Sequence, residues 1–301
     1  MPKSRGNAKR IAFAPRRGTI MQYLLLAVTT VCLSAQQLIQ KRYNQKTENP
    51  NQFLFLAFPA LAATAFFIAA SLFRLSFDPA VLPYSLGFAA AYIAATVGLI
   101  YALKLGSMAI TALVNSYSLL IPTFYGIIFL RESAKVAGII GITLLLVSLF
   151  LLGAKKERAT GGVKWLVFLV VAFVGNGMCS TVQKIQQTSM DGAYKNEFMI
   201  FALIAAFAVF TGLALARGDM KNNLTPCAGF GSLNGVFNGA VNFLVLILTG
   251  LIPNSVLFPC ISAGSIVLSL FTALFLFKEK LSAFQIVGYA LGLASVILLN
   301  I

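Results

Sequence analysis

Three asparagines, Asn234, Asn238 and Asn242, recur at every fourth residue within a long apolar run. Residues four apart lie on one face of an α-helix, so the three amides form a single stripe of hydrogen-bond donors and acceptors. Such a stripe suits a neutral polar or zwitterionic solute. It equally suits packing between helices, because Asn bonds across helices in membranes and Gly235 and Gly239 form a GxxxG close-approach motif beside it. Both interpretations stay open at this stage.

Further polar side chains lie within other apolar runs, where an unpaired polar group is costly and is therefore a candidate for a site. Gln36 and Gln183 either face a central cavity or lie where their helices leave the bilayer. Asn176 lies between Gly175 and Gly177, an arrangement that allows a locally loosened helix at a solute site. For Tyr92 the alternative is aromatic packing between helices. The predicted solute-binding residues are Gln36, Tyr92, Asn115, Asn176, Gln183, Asn234, Asn238 and Asn242.

Charged side chains are rare in the apolar runs. All eight acidic residues fall in or beside loops, so we expect no carboxylate at mid-membrane. Glu132 and Glu279 each lie at a helix junction beside basic residues, where an acidic group suits the N-terminus of the following helix. We expect Lys184 to extend toward lipid headgroups; turned inward, it would favour an anionic solute.

The composition excludes several classes of protein. Of 301 residues, 59% are hydrophobic and 10% are charged, whereas about 25% are charged in a soluble domain. Apolar runs of about twenty residues can cross the roughly 30 Å of hydrocarbon as helices. Histidine is absent, which removes the commonest general base and metal ligand. We therefore predict a membrane protein that is not an enzyme and that holds no metal and no cofactor.

The net charge of +15 is concentrated near the N-terminus. Six of the 23 basic residues precede the first apolar run: Lys3, Arg5, Lys9, Arg10, Arg16 and Arg17. No basic face carries interleaved stacking aromatics, so we expect no nucleic-acid partner. Positive residues favour the cytoplasmic side, which predicts a plasma-membrane protein with both termini in the cytoplasm. The expected partners are a small-molecule solute and the lipid bilayer, and we expect a monomer, with a dimer as the alternative.

Ten apolar runs follow the basic tail, and the second five repeat the first five. The predicted spans are 20–40, 53–73, 81–103, 107–130, 134–154, 163–187, 197–216, 226–249, 254–277 and 282–301. An offset of 147 positions aligns Glu132 with Glu279 and Gln36 with Gln183. Because five is an odd number, the second copy must enter the membrane from the opposite side. The predicted organisation is a tail (1–19), a first repeat (20–154), a linker (155–162) and a second repeat (163–301).

Each repeat contains a glutamate nine residues before a glycine, at the start of a predicted span. In the second copy, Glu279-Lys280-Leu281-Ser282 is followed by Gln285 and Gly288. This pattern resembles the EamA-type branch of the drug/metabolite transporter superfamily. The first copy departs from it, with Ala134 and Gly138 where Leu and Gln are usual. The resemblance covers residues 20–301 and implies a ten-helix fold, cytoplasmic termini and a transport role.

These features together predict the function. We expect a secondary transporter of small polar metabolites, namely amino-acid-, sugar- or nucleobase-like solutes, that works by alternating access. One alternative is a proton-coupled exporter of drugs or cations, but the resemblance implies that such proteins use a membrane-embedded glutamate, which is not expected here. Another is a lipid-linked flippase, which would need a cavity open sideways to lipid. A sensor or scaffold that transports nothing is the alternative outside transport.

Overall fold

The computed structural model describes residues 19–47, 51–105, 115, 117–132, 136–153, 162–218, 224–271 and 283–299. Within these residues ten α-helices can be delimited, together with a one-turn 3-10 helix at Pro79–Val81, and no strand. The helices are α1 (Thr19–Lys46), α2 (Gln52–Ala70), α3 (Leu82–Leu105), α4 (Leu120–Ile128), α5 (Val136–Gly153), α6 (Gly162–Ser189), α7 (Lys195–Arg217), α8 (Leu224–Leu251), α9 (Asn254–Phe271) and α10 (Ala283–Leu299). The predicted all-α class is confirmed. The basic tail, the linker up to residue 161 and the segment around Glu279 lie outside the described residues.

Six segments within the described residues are long and apolar enough to cross a bilayer. They are Met21–Gln40, Gln52–Ala70, Pro79–Ala102, Gly162–Ser189, Lys195–Arg217 and Leu224–Leu251. The outer surface carries many large apolar side chains, such as Val163, which is 78% exposed, and Phe129, which is 72% exposed. An apolar exterior of this extent suits lipid better than water. These features indicate a membrane protein.

The fourth predicted span, 107–130, contains an irregular segment. The Ser118 backbone N–H donates to the Asn115 carbonyl at 3.2 Å, and the Ile121 N–H donates to the Ser118 carbonyl at 3.0 Å. Both bonds join residues three apart and form tight turns rather than α-helical bonds. Pro122 then lies in the first turn of α4, where its missing N–H costs no helical hydrogen bond. The structure therefore places Ser118 in a turn, between the helical residues Asn115 and Tyr117 and the start of α4.

The two halves of the sequence interlock. Helix α3 packs along α6 and α7, whereas α8 packs along α1 and α2. Helices α2 and α7, α4 and α9, and α5 and α10 also pack against each other. Within the described chain, the main packing partners of α1 to α5 all belong to the second half.

Glycines allow the closest of these helix contacts. A Cβ atom built on Gly235 of α8 would lie 2.6 Å from the Pro59 carbonyl oxygen of α2. A Cβ atom built on Gly175 of α6 would lie 2.6 Å from the Ala95 backbone nitrogen of α3. Both distances are shorter than real Cβ contacts allow, so only glycine lets these backbones approach so closely. The GxxxG motif of α8 thus packs on α2.

Contacts between helix ends define two opposite faces of the molecule. On the first face, the Ser85 hydroxyl at the start of α3 donates to the Phe198 carbonyl at the start of α7, at 2.9 Å. On the second face, the Tyr43 hydroxyl near the end of α1 lies 3.2 Å from Cys227 Sγ at the start of α8. Tyr43 also stacks on Phe55 near the start of α2, with ring centroids 4.2 Å apart. Burial raises the pKa of Tyr43, so its hydroxyl stays protonated.

Candidate solute-binding site

Side-chain amides from α1, α6 and α8 form one connected hydrogen-bonded chain. Gln183 Nε2 of α6 donates to Asn242 Oδ1 of α8 at 2.8 Å. Asn242 Nδ2 donates to Asn238 Oδ1 at 3.1 Å, and Asn238 Nδ2 donates to Gln36 Oε1 of α1 at 3.4 Å. We call these four residues the amide chain. It links both halves of the sequence through polar groups that carry no net charge.

Asn234 joins the amide chain from the side. Its Nδ2 donates to the Gln36 backbone carbonyl at 3.0 Å. Gln183 is 2% exposed and Asn234 is 8% exposed, whereas Gln36, Asn238 and Asn242 are half-buried. Five of the eight predicted site residues are therefore brought together. Whether they bind solute stays a prediction.

Helix α8 carries a stripe of glycines and a stripe of asparagines, and the two stripes contact different neighbouring helices. The glycine stripe, Gly231, Gly235 and Gly239, faces Phe58, Pro59 and Phe66 of α2. The asparagine stripe bonds to Gln36 of α1 and to Gln183 of α6. The spacing of four residues keeps each stripe on one face of the helix. The close-approach motif and the amides thus serve different interfaces.

Asn176 and Asn115 form a second polar group between α4 and α6. Asn176 Nδ2 donates to Ser118 Oγ at 2.6 Å, and the Ser118 hydroxyl donates to the Asn115 carbonyl at 2.6 Å. Gly177 makes room for this contact, because a Cβ there would lie 2.7 Å from the Ser118 carbonyl oxygen. Ser118 was not among the predicted site residues, although it lies three residues after Asn115 and is fully buried.

Tyr92 packs among aromatic rings. Its ring stacks on Phe88 of the same helix at a centroid distance of 6.0 Å, and it meets Phe210 of α7 at 6.1 Å in an edge-on geometry. These contacts match the alternative of an aromatic residue packed between helices. A solute contact by Tyr92 stays a prediction.

Lys184 points inward, so the expectation that it extends toward the headgroups is wrong. Its Nζ donates to the Thr249 carbonyl near the end of α8 at 2.7 Å. It also lies 3.8 Å from Glu132 Oε1, and both side chains are 12% exposed. Glu132 Oε2 in turn accepts the Ser255 N–H at the start of α9, at 2.9 Å. This ion pair connects the end of α4 with α6, α8 and α9 near the first face.

The end of α4 explains how Glu132 reaches α9. Arg131 adopts a left-handed conformation with φ of 52°, and the Glu132 N–H donates to the Gly126 carbonyl at 3.1 Å. This resembles the C-terminal turn that commonly ends a helix and reverses the chain. A side chain at Gly126 would collide with the Glu132 carboxylate, so glycine leaves the space that it occupies. The Glu132 carboxylate thus binds the N-terminus of α9, and residues 133–135, which lead into α5, lie outside the described residues.

A groove of about 360 Å³ lies on the outer side of α3, α6 and α7. Its walls are apolar and include Ile93, Val97, Phe168, Val171 and Leu213. Walls of this kind suit hydrocarbon and offer no side-chain hydrogen bond to a polar headgroup. The groove therefore does not strengthen the flippase alternative.

Comparisons with known proteins establish the fold but not a family. No protein-family model matches the chain, and no curated protein matches it. A solved structure described only as "Crystal structure of protein" is similar over 93% of this chain and 97% of its own, with a TM-score of 0.66 and 15% sequence identity. At this identity, the likeness shows that the two chains share a fold and nothing about what either transports or binds.

Proposed function

We propose that this chain is a secondary transporter of small polar metabolites, working by alternating access, and that it belongs to the EamA-type drug/metabolite transporters. The observation that carries the proposal is the amide chain, which joins Gln36, Asn238, Asn242 and Gln183 across three helices. Neutral donors and acceptors at this depth are costly unless they bind one another or a solute. The amides of this chain bind one another in this structure, and each can exchange an internal hydrogen bond for a hydrogen bond to a solute.

We also propose that the ten helices span the membrane as two inverted five-helix repeats. Exchanging α1–α5 with α6–α10 converts the α3–α6 contact into the α8–α1 contact, and the α2–α8 contact into the α7–α3 contact. Equivalent helices also begin at opposite faces: α2 begins near Tyr43 at the second face, whereas α7 begins near Ser85 at the first. An inverted repeat requires both of these relations.

The parts that move in this mechanism combine helices from both halves. Helices α1, α2 and α8 pack together, as do α3, α6 and α7, and the α2–α7 contact joins these two groups. In the amide chain, the Gln183–Asn242 bond is the one that runs between the two groups. When the groups separate, this bond breaks and exposes a donor and an acceptor to a polar solute. The halves of the sequence therefore do not act as two separate rigid bodies.

Glu132 supports transport of a neutral or zwitterionic solute over proton-coupled export of cations. The carboxylate is paired with Lys184 and accepts the Ser255 N–H. A carboxylate with these partners is not available to hold a cationic drug, because removing Lys184 from it would leave a largely shielded ion unpaired.

We also propose that the protein lies in the plasma membrane as a monomer, with the first face and both termini in the cytoplasm.

Replacing Asn238 by leucine tests the proposal. We expect Asn238→Leu to lower uptake at least about tenfold, because the change removes the donor to Gln36 and the acceptor for Asn242. Uptake is measured in reconstituted vesicles with radiolabelled amino acids, sugars and nucleobases. Val236→Leu on the same helix is the control, because Val236 is 48% exposed.

The unchanged protein must accumulate at least one of these solutes for the transport proposal to stand. Asn238→Leu must remain monodisperse in detergent, so that lost uptake reports on the site rather than on misfolding. If the folded variant takes up solute at the wild-type rate, Asn238 is not part of the site.

A further inference from the structure

The amide chain has a fixed direction. Asn242 Nδ2 donates to the Asn238 backbone carbonyl at 2.9 Å, and a backbone carbonyl can only accept. This bond determines which end of the Asn242 amide is nitrogen. Asn242 Oδ1 is therefore the atom that accepts from Gln183, and Asn242 Nδ2 is the atom that donates to Asn238 Oδ1.

The same reasoning orients the remaining members of the amide chain. Because Asn238 Oδ1 accepts from Asn242, Asn238 Nδ2 is left to donate to Gln36, which must accept through Oε1. Every link thus donates in one direction, from Gln183 toward Gln36. The last donor is Gln36 Nε2, which is buried and has no hydrogen-bond partner in the described part of the chain.

A buried N–H donor without a partner is costly, most of all in hydrocarbon. Hydrogen bonds in series polarise one another, so the terminal donor of an aligned chain is stronger than an isolated amide. A strong, unused donor at the end of the chain is therefore suited to a solute oxygen.

We propose that Gln36 Nε2 donates to a carbonyl oxygen of the transported solute, and that this solute is uncharged, as a nucleobase lactam or a primary amide is. This inference rests on the proposed transport function and narrows its substrate class. Gln36 Nε2 is sealed in this conformation, so the solute reaches it only after the surrounding helices separate, as alternating access requires.

The charge of the site selects against ionised solutes. The amide chain contains only neutral side chains, and Lys184, the residue after Gln183, is occupied by Glu132 and by the Thr249 carbonyl. An anion, a cation or a zwitterion would bring at least one buried charge that these amides do not neutralise, and such charges are expensive. We therefore no longer expect amino acids as solutes, because they are zwitterions, whereas we still expect nucleobase-like compounds.

Four probes that share one ring separate the effect of charge from the effect of shape. Nicotinamide is neutral with an amide carbonyl, and nicotinate is an anion. With a methyl group on the ring nitrogen, 1-methylnicotinamide is a cation and 1-methylnicotinate is a zwitterion. We expect nicotinamide to raise the thermal unfolding temperature of the full-length protein in detergent, because a ligand of the folded state stabilises it. The charged probes are expected to leave it unchanged. A charged probe that stabilises as strongly as nicotinamide, or no response to nicotinamide, overturns the inference.

The variant Gln36→Glu tests the donor itself. A glutamate keeps an oxygen that can accept from Asn238 but has no N–H, so we expect nicotinamide affinity to fall at least about tenfold. Gln40→Glu, one helical turn away, adds the same charge to α1 and is expected to keep wild-type affinity. Equal affinity of Gln36→Glu and the unchanged protein rules out Gln36 as the donor.

The two proposals fail in different ways. If vesicles accumulate only charged solutes, transport stands and the inference about the uncharged solute falls. If nicotinamide binds through Gln36 but no labelled solute crosses the membrane, the binding site stands and the transport function falls.

Discussion

Single residues show what a sequence pattern reveals about a buried site and what it omits. The spacing of four between Asn234, Asn238 and Asn242 placed them correctly on one face of α8. The same pattern could not show that Lys184 turns inward, because its partner Glu132 lies 52 positions earlier and on another helix. Hydropathy indicates how deep a residue lies along its helix, but it does not indicate the direction in which the side chain points. A charge near the end of a span can therefore turn either way.

The Lys184–Glu132 pair gives a prediction about stability. We expect Lys184→Met to lower the free energy of unfolding by about 3 kcal/mol, because it leaves the largely shielded Glu132 carboxylate, 12% exposed, without a cation. Adding Glu132→Gln should recover at least half of that loss. Denaturant unfolding in detergent micelles measures both effects.

Lys164→Met is the matched control for this experiment. Lys164 lies on the same helix and is exposed, so its loss should change stability little. Wild-type stability of Lys184→Met would show that the ion pair contributes nothing to the fold.

At the scale of helices, the α2–α8 contact depends on the absence of side chains. We expect Gly235→Ala to lower the free energy of unfolding by about 1–3 kcal/mol, because the new methyl group would meet the Pro59 carbonyl. Gly229→Ala on the same helix meets no atom within 4 Å, and should be neutral or stabilising by up to about 1 kcal/mol. Thermal unfolding of the two variants measures the difference. Equal unfolding temperatures of the two variants would contradict the close contact between α2 and α8 at Gly235.

The existence of most helices could be predicted from the sequence, but their packing could not. Apolar runs bounded by charges or turn residues correctly indicated α2, α3, α6, α7 and α8, because hydrocarbon leaves the backbone few other conformations. The bend before α4 was indicated only by Asn115 and Pro122. The direction of the amide chain was beyond prediction, since it depends on where a backbone carbonyl of α8 lies relative to Asn242.

The arrangement of the whole molecule predicts the sides on which two lysines lie. Lys195 begins α7 at the first face, whereas Lys104 lies near the end of α3, which begins at that same face. We therefore expect single cysteines at positions 104 and 195 to react with an impermeant maleimide from opposite sides of the membrane. The four native cysteines are buried and should contribute little background. If both positions are labelled from the same side of the membrane, the proposed inverted repeat is wrong.

At this scale the offset of 147 positions predicts two copies of one unit but does not indicate how the copies contact each other. Two similar segments could equally have formed two separate bundles joined by a linker. The helices instead exchange partners across the halves, because the small residues of α6 and α8 match surfaces on α3 and α2. Complementary shapes of this kind are not visible in hydropathy.

The interlocked halves also matter during synthesis. When the ribosome has delivered α5, the largest protein interfaces of α1, α2 and α3 do not yet exist, because α6, α7 and α8 have not been made. Lipid or the insertion machinery must cover Gln36 and the polar bend of α4 until then. The nascent first half is thus inserted before it can fold, and folding of the whole protein waits for the second half.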